Sequence, residues 1–252
     1  EKELRGAHGR IFFTKDRGSA IDEPPVAGRN MVLHIDADMQ RQLYSELYKV
    51  LREAQLSSGA AIVQNPQTGA VLAMVSFPTY DNNIFNDPVS FREYERLFEG
   101  TVRPLFNRVI SGLYSPGSTI KPFIGMAALQ EGVVSPSDTI ENCVDITIPN
   151  PFDPERPYIF KNWRPDLGSF NLRRAIAQSC NVYFFTVGGG FGKIFGLGVD
   201  RIVRALTAAM ANVTLGIDLP GEASGFIPTP EWKLRTKREN WYQGDTYNIS
   251  IG

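Results

Sequence analysis

The sequence predicts an α+β fold, with strands paired as an antiparallel hairpin and a larger number of helices. Three observations carry this. The apolar runs 59–64 and 70–75 flank Asn65-Pro66-Gln67-Thr68-Gly69, a hairpin turn signature. Met39, Leu43, Leu47, Val50 and Leu51 recur at helical spacing after Asp36. Further helical runs follow over 119–131, from Asn171 and around 199–210, separated by stretches rich in glycine and proline. At 252 residues, 42% of them hydrophobic, the chain can bury a core.

Residues 1–30 are polar and turn-rich and read as a linker or the tail of a preceding module, which leaves 31–252 as the main domain. Met31–Ile35 has the length and composition of a strand. Asp36 is placed to cap the next helix, and Asp38 suits its first turn. The apolar content of 59–64 and 70–75 is nearly continuous, which predicts a sheet covered on both faces. Residues 76–115 are irregular. Thr119–Glu131 reads as a helix closed by Gly132. Five prolines, Pro149, Pro151, Pro154, Pro157 and Pro165, make 133–168 read as loop. Leu172, Ala175 and Ile176 share a helical face, and Gly188-Gly189-Gly190 is expected to bend the chain between helices.

Composition excludes several classes. Lys+Arg 26 against Asp+Glu 27 gives a net charge of -1, so no strongly basic face for nucleic acid is expected. No stretch approaches the roughly 18 apolar residues of a membrane span. The chain opens on the charged run Glu1–Arg5, without an initiator methionine or signal peptide, and is expected to be a piece of a longer protein whose anchor lies elsewhere. Cys143 and Cys180 form no C-x-x-C pair and read as two small buried hydrophobes. His8 and His34 are too far from them in sequence to predict a zinc site. Gly188–Lys193 has the wrong spacing for a phosphate loop. Asp218 and Glu222 read as a solvated loop rather than an acid/base pair.

Ser118-Thr119-Ile120-Lys121 is the first motif with chemical content. Positions i and i+3 share one helical face, so a lysine one turn after a serine can reach its hydroxyl. A desolvated lysine can lose its proton and then accept the serine's. An S-x-x-K string by itself is weak, since a capping serine followed by an exposed lysine gives the same pattern. The flanks add weight: Pro116-Gly117 sets a sharp turn before the serine, and Pro122 is tolerated only in a first helical turn.

Ser179-Cys180-Asn181 is the second motif. The serine hydroxyl can pass a proton, and the asparagine amide can both donate and accept. The competing reading is a plain helix cap ahead of Tyr183-Phe184-Phe185.

Together the two motifs resemble the first two signatures of the penicillin-binding and β-lactamase superfamily, S-x-x-K and S-D-N. Ser115–Pro122 is similar to the nucleophile segment of class B penicillin-binding proteins. Ala61–Val63 with Ala73–Ser76 resembles their first hairpin. Gly216–Glu222 with Gly225, and Trp241–Thr246, resemble segments after the second motif, and Glu3-Leu4-Arg5-Gly6 resembles the join from an N-terminal pedestal module. The nearest group is the elongation-type transpeptidase. Its third motif, Lys-Ser/Thr-Gly, occurs nowhere here, and a chain truncated before that motif is the expectation.

The resemblance implies a mainly antiparallel sheet with an all-helical subdomain, incomplete at its C-terminus, on a chain impaired by the missing motif. It implies Ser118 as nucleophile, Lys121 as base, Ser179 as proton relay and Asn181 as a substrate-binding amide. The substrates would be peptidoglycan stem peptides, with β-lactam antibiotics as acylating ligands. Other cell-wall elongation proteins would bind the parent protein, and no cofactor or metal is implied. The implied location is the bacterial plasma membrane, with the catalytic domain on its extracytoplasmic side. A β-lactamase or D,D-carboxypeptidase, a β-lactam-sensing receptor and a non-catalytic scaffold are the competing readings.

Overall fold

A computed structural model describes residues 7, 10–13, 20–85, 91–99, 102–150 and 153–252; Glu3–Gly6 and His8 lie outside them. The chain forms two compact units, 1–109 and 110–252. In the first, β1 (Arg10–Phe13) pairs antiparallel with β2 (Ala20–Glu23), so a short hairpin stands within the stretch expected to be a linker. Met31–Ile35 forms no strand; it has no regular structure, and its apolar side chains stay exposed.

Asp36 caps helix α1 (Ala37–Glu53) as the sequence predicts, its carboxylate accepting from the backbone N–H of Asp38 and Met39, each at 2.9 Å. Leu43, Leu47 and Leu51 of α1 pack on Val75 and Phe77. β3 (Gly59–Gln64) and β4 (Val71–Phe77) pair antiparallel around the predicted turn. Gln40 meets the backbone of Met74 with both ends of its amide, donating to the carbonyl and accepting from the N–H, each at 2.8 Å. The expectation of two covered faces fails in this unit: burial alternates along β4, where Ala73, Val75 and Phe77 point inward and their neighbours stay partly exposed. A four-residue helix, α2 (Phe91–Tyr94), follows.

The second unit begins its regular structure with a tight helical turn, Gly117–Ile120, which runs into α3 (Lys121–Gln130). Gly132, at φ +66°, closes α3 as predicted; its N–H reaches the Leu129 carbonyl at 3.2 Å and that of Val133 reaches Ala128 at 2.9 Å.

The expected loop over 133–168 is instead largely a long antiparallel hairpin, β5 (Ile140–Ile148) with β6 (Tyr158–Phe170). Pro149, Pro154 and Pro157 fall in the connection between the strands. The register then steps from Asp145↔Lys161 to Cys143↔Asp166, so Asn162, Trp163, Arg164 and Pro165 stand opposite the single residue Val144. Pro165 is tolerated because a bulge asks no ladder hydrogen bond of it.

Helices α4 (Leu172–Ala177), α5 (Asn181–Gly189), α6 (Val199–Ala208), α7 (Pro230–Lys237) and α8 (Gln243–Ile249) complete the unit. α5 is buried along Val182–Gly188, apolar on all sides, and forms the centre of the core. Ile124 and Ala128 of α3, Ala175 of α4, Ile202 of α6, Tyr247 of α8 and Ile146 of β5 belong to the same cluster. Gly188 and Gly189 do not bend the chain. They lie within α5, where a Cβ would run into Ser250 and the Tyr247 ring, and Gly190 at φ +83° ends the helix. Their lack of a side chain lets α8 approach the central helix.

Cys143 and Cys180 form a disulfide, with Cα atoms 5.9 Å apart. This overturns the expectation of two separate thiols. Both are buried as expected, but the hairpin brings β5 beside the residue that precedes α5, and 37 residues of sequence close to bonding distance. Among the described residues, no helix is long and apolar enough to cross a membrane.

Candidate active site

All four predicted residues lie in the second unit. Ser118 sits in the tight turn before α3, following Pro116 and a Gly117 held at φ +58°. Its side chain is exposed, as the predicted turn requires. Gly252 crowds the Gly117 backbone so closely that a Cβ there would collide with it. The end of α8 therefore packs against the approach to the serine.

Lys121 is the first residue of α3 and is only 2% exposed. Its amine donates to three oxygens of the second motif: Asn181 Oδ1 at 2.6 Å, the Ser179 carbonyl at 2.9 Å and Ser179 Oγ at 3.1 Å. It also lies 5.4 Å from the centre of the Phe184 ring. Burial lowers its pKa from 10.5 to about 8. The cause is desolvation, which disfavours the ammonium. Among the described residues, the amine makes no hydrogen bond to Ser118, which lies one helical turn before it.

The second motif is not merely a helix cap. Cys180 is the N-cap of α5, its sulfur accepting from Tyr183 N–H at 3.3 Å. Ser179 and Asn181 are thereby left free to face Lys121. Ser179 adopts φ +52°, a left-handed backbone that L-residues other than asparagine, aspartate and glycine rarely take. In that conformation its carbonyl and its hydroxyl point at the same amine.

The bulge in β6 contributes what the sequence reading missed. Asn162 Oδ1 accepts from Asn181 N–H at 2.9 Å, Trp163 Nε1 donates to the Gln178 carbonyl at 3.3 Å, and Arg164 bonds the Gln178 side chain. The cluster of prolines hid these residues, because it read as loop. Glu222 is not freely solvated; its carboxylate gathers the backbone N–H groups of Leu215, Gly216 and Ile217 at 2.6, 3.0 and 3.2 Å and braces that turn.

An exposed serine hydroxyl one turn before a buried lysine of lowered pKa has the parts needed for acyl transfer. The second hydroxyl, Ser179 Oγ, is in contact with the same amine at 3.1 Å.

A family model described as "Penicillin binding protein transpeptidase domain" matches residues 59–252. The chain is 36% identical over 242 residues to the peptidoglycan D,D-transpeptidase MrdA of Haemophilus influenzae, covering 94% of this chain and 34% of that protein. A crystal structure of Pseudomonas aeruginosa PBP2 aligns at TM-score 0.74 and 35% identity, over 90% of this chain and 48% of the other. Helicobacter pylori PBP2, solved in complex with MreC, aligns at TM-score 0.78 and 26% identity, over 100% of this chain and 45% of the other. The chain thus spans about a third of the length of the curated relative and just under half of each solved chain.

Proposed function

The chain belongs to the transpeptidase domain family of penicillin-binding proteins, and on that basis we propose that it carries the acylation centre of a peptidoglycan D,D-transpeptidase. The observation that supports this most directly is the Lys121 amine, buried and held by Ser179 and Asn181 one helical turn after Ser118. Residues 31–252 are assigned to the transpeptidase domain and 1–30 to the join with a preceding module.

Neutral Lys121 takes the Ser118 proton. Ser118 Oγ then bonds to the carbonyl carbon of the D-alanyl-D-alanine link in a stem peptide. The oxyanion is met on one side by the Ser118 backbone N–H. As the tetrahedral carbon collapses, its C–N bond breaks, and the departing D-alanine amine receives the proton from Lys121 by way of Ser179 Oγ. Asn181 binds a substrate amide while holding the lysine. The amine of a neighbouring stem peptide attacks the ester, its proton returns through Lys121 to Ser118, and the crosslink is released. No step calls on a metal or organic cofactor. A β-lactam acylates the same serine and stays, because its leaving group remains tethered.

The 252 residues contain no Lys-Ser/Thr-Gly triplet, so full turnover is assigned to the intact protein, and the chain alone is expected to be impaired. We place the intact protein at the bacterial plasma membrane with this domain outside the cytoplasm, a setting in which the Cys143–Cys180 disulfide persists. An MreC-like elongation protein is the proposed partner, by likeness to the Helicobacter complex.

A fluorescent penicillin tests the centre. It should label the intact protein and leave Ser118→Ala unlabelled; equal labelling of both would overturn the assignment of the nucleophile. A donor stem peptide offered with an amine should then yield a crosslinked product. Hydrolysis alone would point to a carboxypeptidase or β-lactamase, and a stable acyl-enzyme without product to a sensor.

A further inference from the structure

The segment Gln178–Asn181 is tied to the β5–β6 hairpin at three of its four residues. Trp163 and Arg164 bond the carbonyl and side chain of Gln178. Cys180 is joined to Cys143 by the disulfide. The Asn181 N–H donates to Asn162 Oδ1 at 2.9 Å. The remaining residue, Ser179, has the strained backbone and meets Lys121. A left-handed serine is strained and persists only where its surroundings over-determine it. Here the ties on either side supply that constraint.

Asn162 is the hinge pin of the arrangement. Its amide works in both directions: Oδ1 accepts from Asn181, and Nδ2 donates to the Cys143 carbonyl at 3.1 Å and the Arg164 carbonyl at 2.6 Å. The Asn181 N–H opens α5 and has no acceptor within that helix. Asn162 therefore caps α5 from another strand, and the same side chain grips the backbone of the cysteine bonded to Cys180. The bulge is what turns it there. In regular pairing, Asn162, Trp163 and Arg164 would alternate between faces instead of reaching one loop together.

We propose that Asn162 is a positioning residue for acylation: from the β6 bulge, and together with the Cys143–Cys180 disulfide, it fixes the Ser179–Asn181 segment that holds the Lys121 amine. Asn162 acts through Asn181 and takes no proton itself. The inference rests on the transpeptidase reading above for its effect on rate, but not for its effect on Lys121. With either tie released, Ser179 relaxes, water reaches the lysine, and the amine is no longer held in place.

The test compares the intact protein with Asn162→Ala and with Cys143→Ala, which opens the disulfide but leaves Ser179-Cys180-Asn181 unchanged. Two readouts are taken over pH 6–10: the acylation rate with a fluorescent penicillin, and the titration of Lys121 followed by 13C NMR of ε-labelled lysine. A displacement of about 1 Å at a reacting group costs up to about 100-fold. Each variant, folded by circular dichroism, should acylate about 10–100-fold more slowly at saturating penicillin, with apparent affinity changed less than about threefold. The Lys121 inflection should move from near pH 8 toward the ordinary lysine value. Wild-type rates together with a wild-type inflection in both variants would overturn the proposal. If Asn162→Ala does not fold, Asn162→Asp decides: it keeps the acceptor for Asn181 N–H and should acylate faster than Cys143→Ala. A slower rate in Asn162→Asp with an unmoved Lys121 would overturn it. If the unaltered protein fails to acylate at all, the transpeptidase reading falls, and the Lys121 titration still decides the role of Asn162.

Discussion

The Lys121 amine and Asn181 Oδ1, 60 residues apart in the chain, lie 2.6 Å apart in the core of the second unit. The contact joins the start of α3 to the start of α5, and it makes the lysine a part of both motifs.

Replacing Lys121 separates charge from basicity. Lys121→Arg keeps a cation near Ser179 but cannot release a proton. Lys121→Ala removes both. General-base catalysis contributes about 10²–10⁴-fold, and both variants should lose acylation by that order, measured with labelled penicillin on the intact protein. Retention of more than about a tenth of the rate by Lys121→Arg would remove Lys121 as the base.

The pH profile follows from the lysine pKa, lowered to about 8 by burial. In the proposed mechanism the reactive form is the neutral amine, so the acylation rate should climb through pH 7 to 9 and level off above. Stability has a matching signature. Between pH 8 and 10 the unfolded lysine holds a proton that the folded one has lost, so stability rises with pH in that window. Tyr183 and Tyr247 act the other way. Burial raises both to about 12, with the Asp138 charge adding to the rise at Tyr183 and the Gln243 hydrogen bond opposing it at Tyr247. Their unfolded forms ionise near pH 10, so stability falls above that point. Thermal melts across pH 7–11 should show the rise and then the fall.

Tyr183→Phe tests a buried group of another kind. The phenol is fully buried, and its hydroxyl has no hydrogen-bond partner among the described residues. A buried unsatisfied hydroxyl costs about 1–3 kcal/mol, so the substitution should leave the melting temperature unchanged or raise it, and should reduce the alkaline loss. A large drop in melting temperature would show that the hydroxyl has a partner.

Gly189→Ala tests the approach of α8 to α5. A Cβ there would meet the Tyr247 ring at 2.5 Å, and overpacking of this kind costs about 1–3 kcal/mol. Denaturant unfolding of the variant should show a loss of that size. An unchanged midpoint would mean that Tyr247 moves aside at no cost.

Local patterns in the sequence were enough to find α1 and its Asp36 cap, the β3–β4 hairpin, and α3 with its closing Gly132. Each depends on residues within a few positions of one another, so periodicity and turn chemistry reveal them. The S-x-x-K face was legible for the same reason: Ser118 and Lys121 are neighbours on one turn. The β5–β6 hairpin was not legible, because its prolines read as loop until the register break that houses Pro165 is seen.

The tertiary structure alone decided three things about the site. It made Cys143 and Cys180 a disulfide, since a pairing across 37 residues depends on where β5 lies and not on spacing. It turned Lys121 toward Ser179 and Asn181, because the amine is buried in the core and those oxygens accept from it there. It also brought Asn162 under Asn181, through a bulge that no local pattern announces. Local sequence carries the residues that the proposed chemistry calls on; long-range packing sets which of them touch, because only packing sets desolvation and distance between residues far apart in the chain.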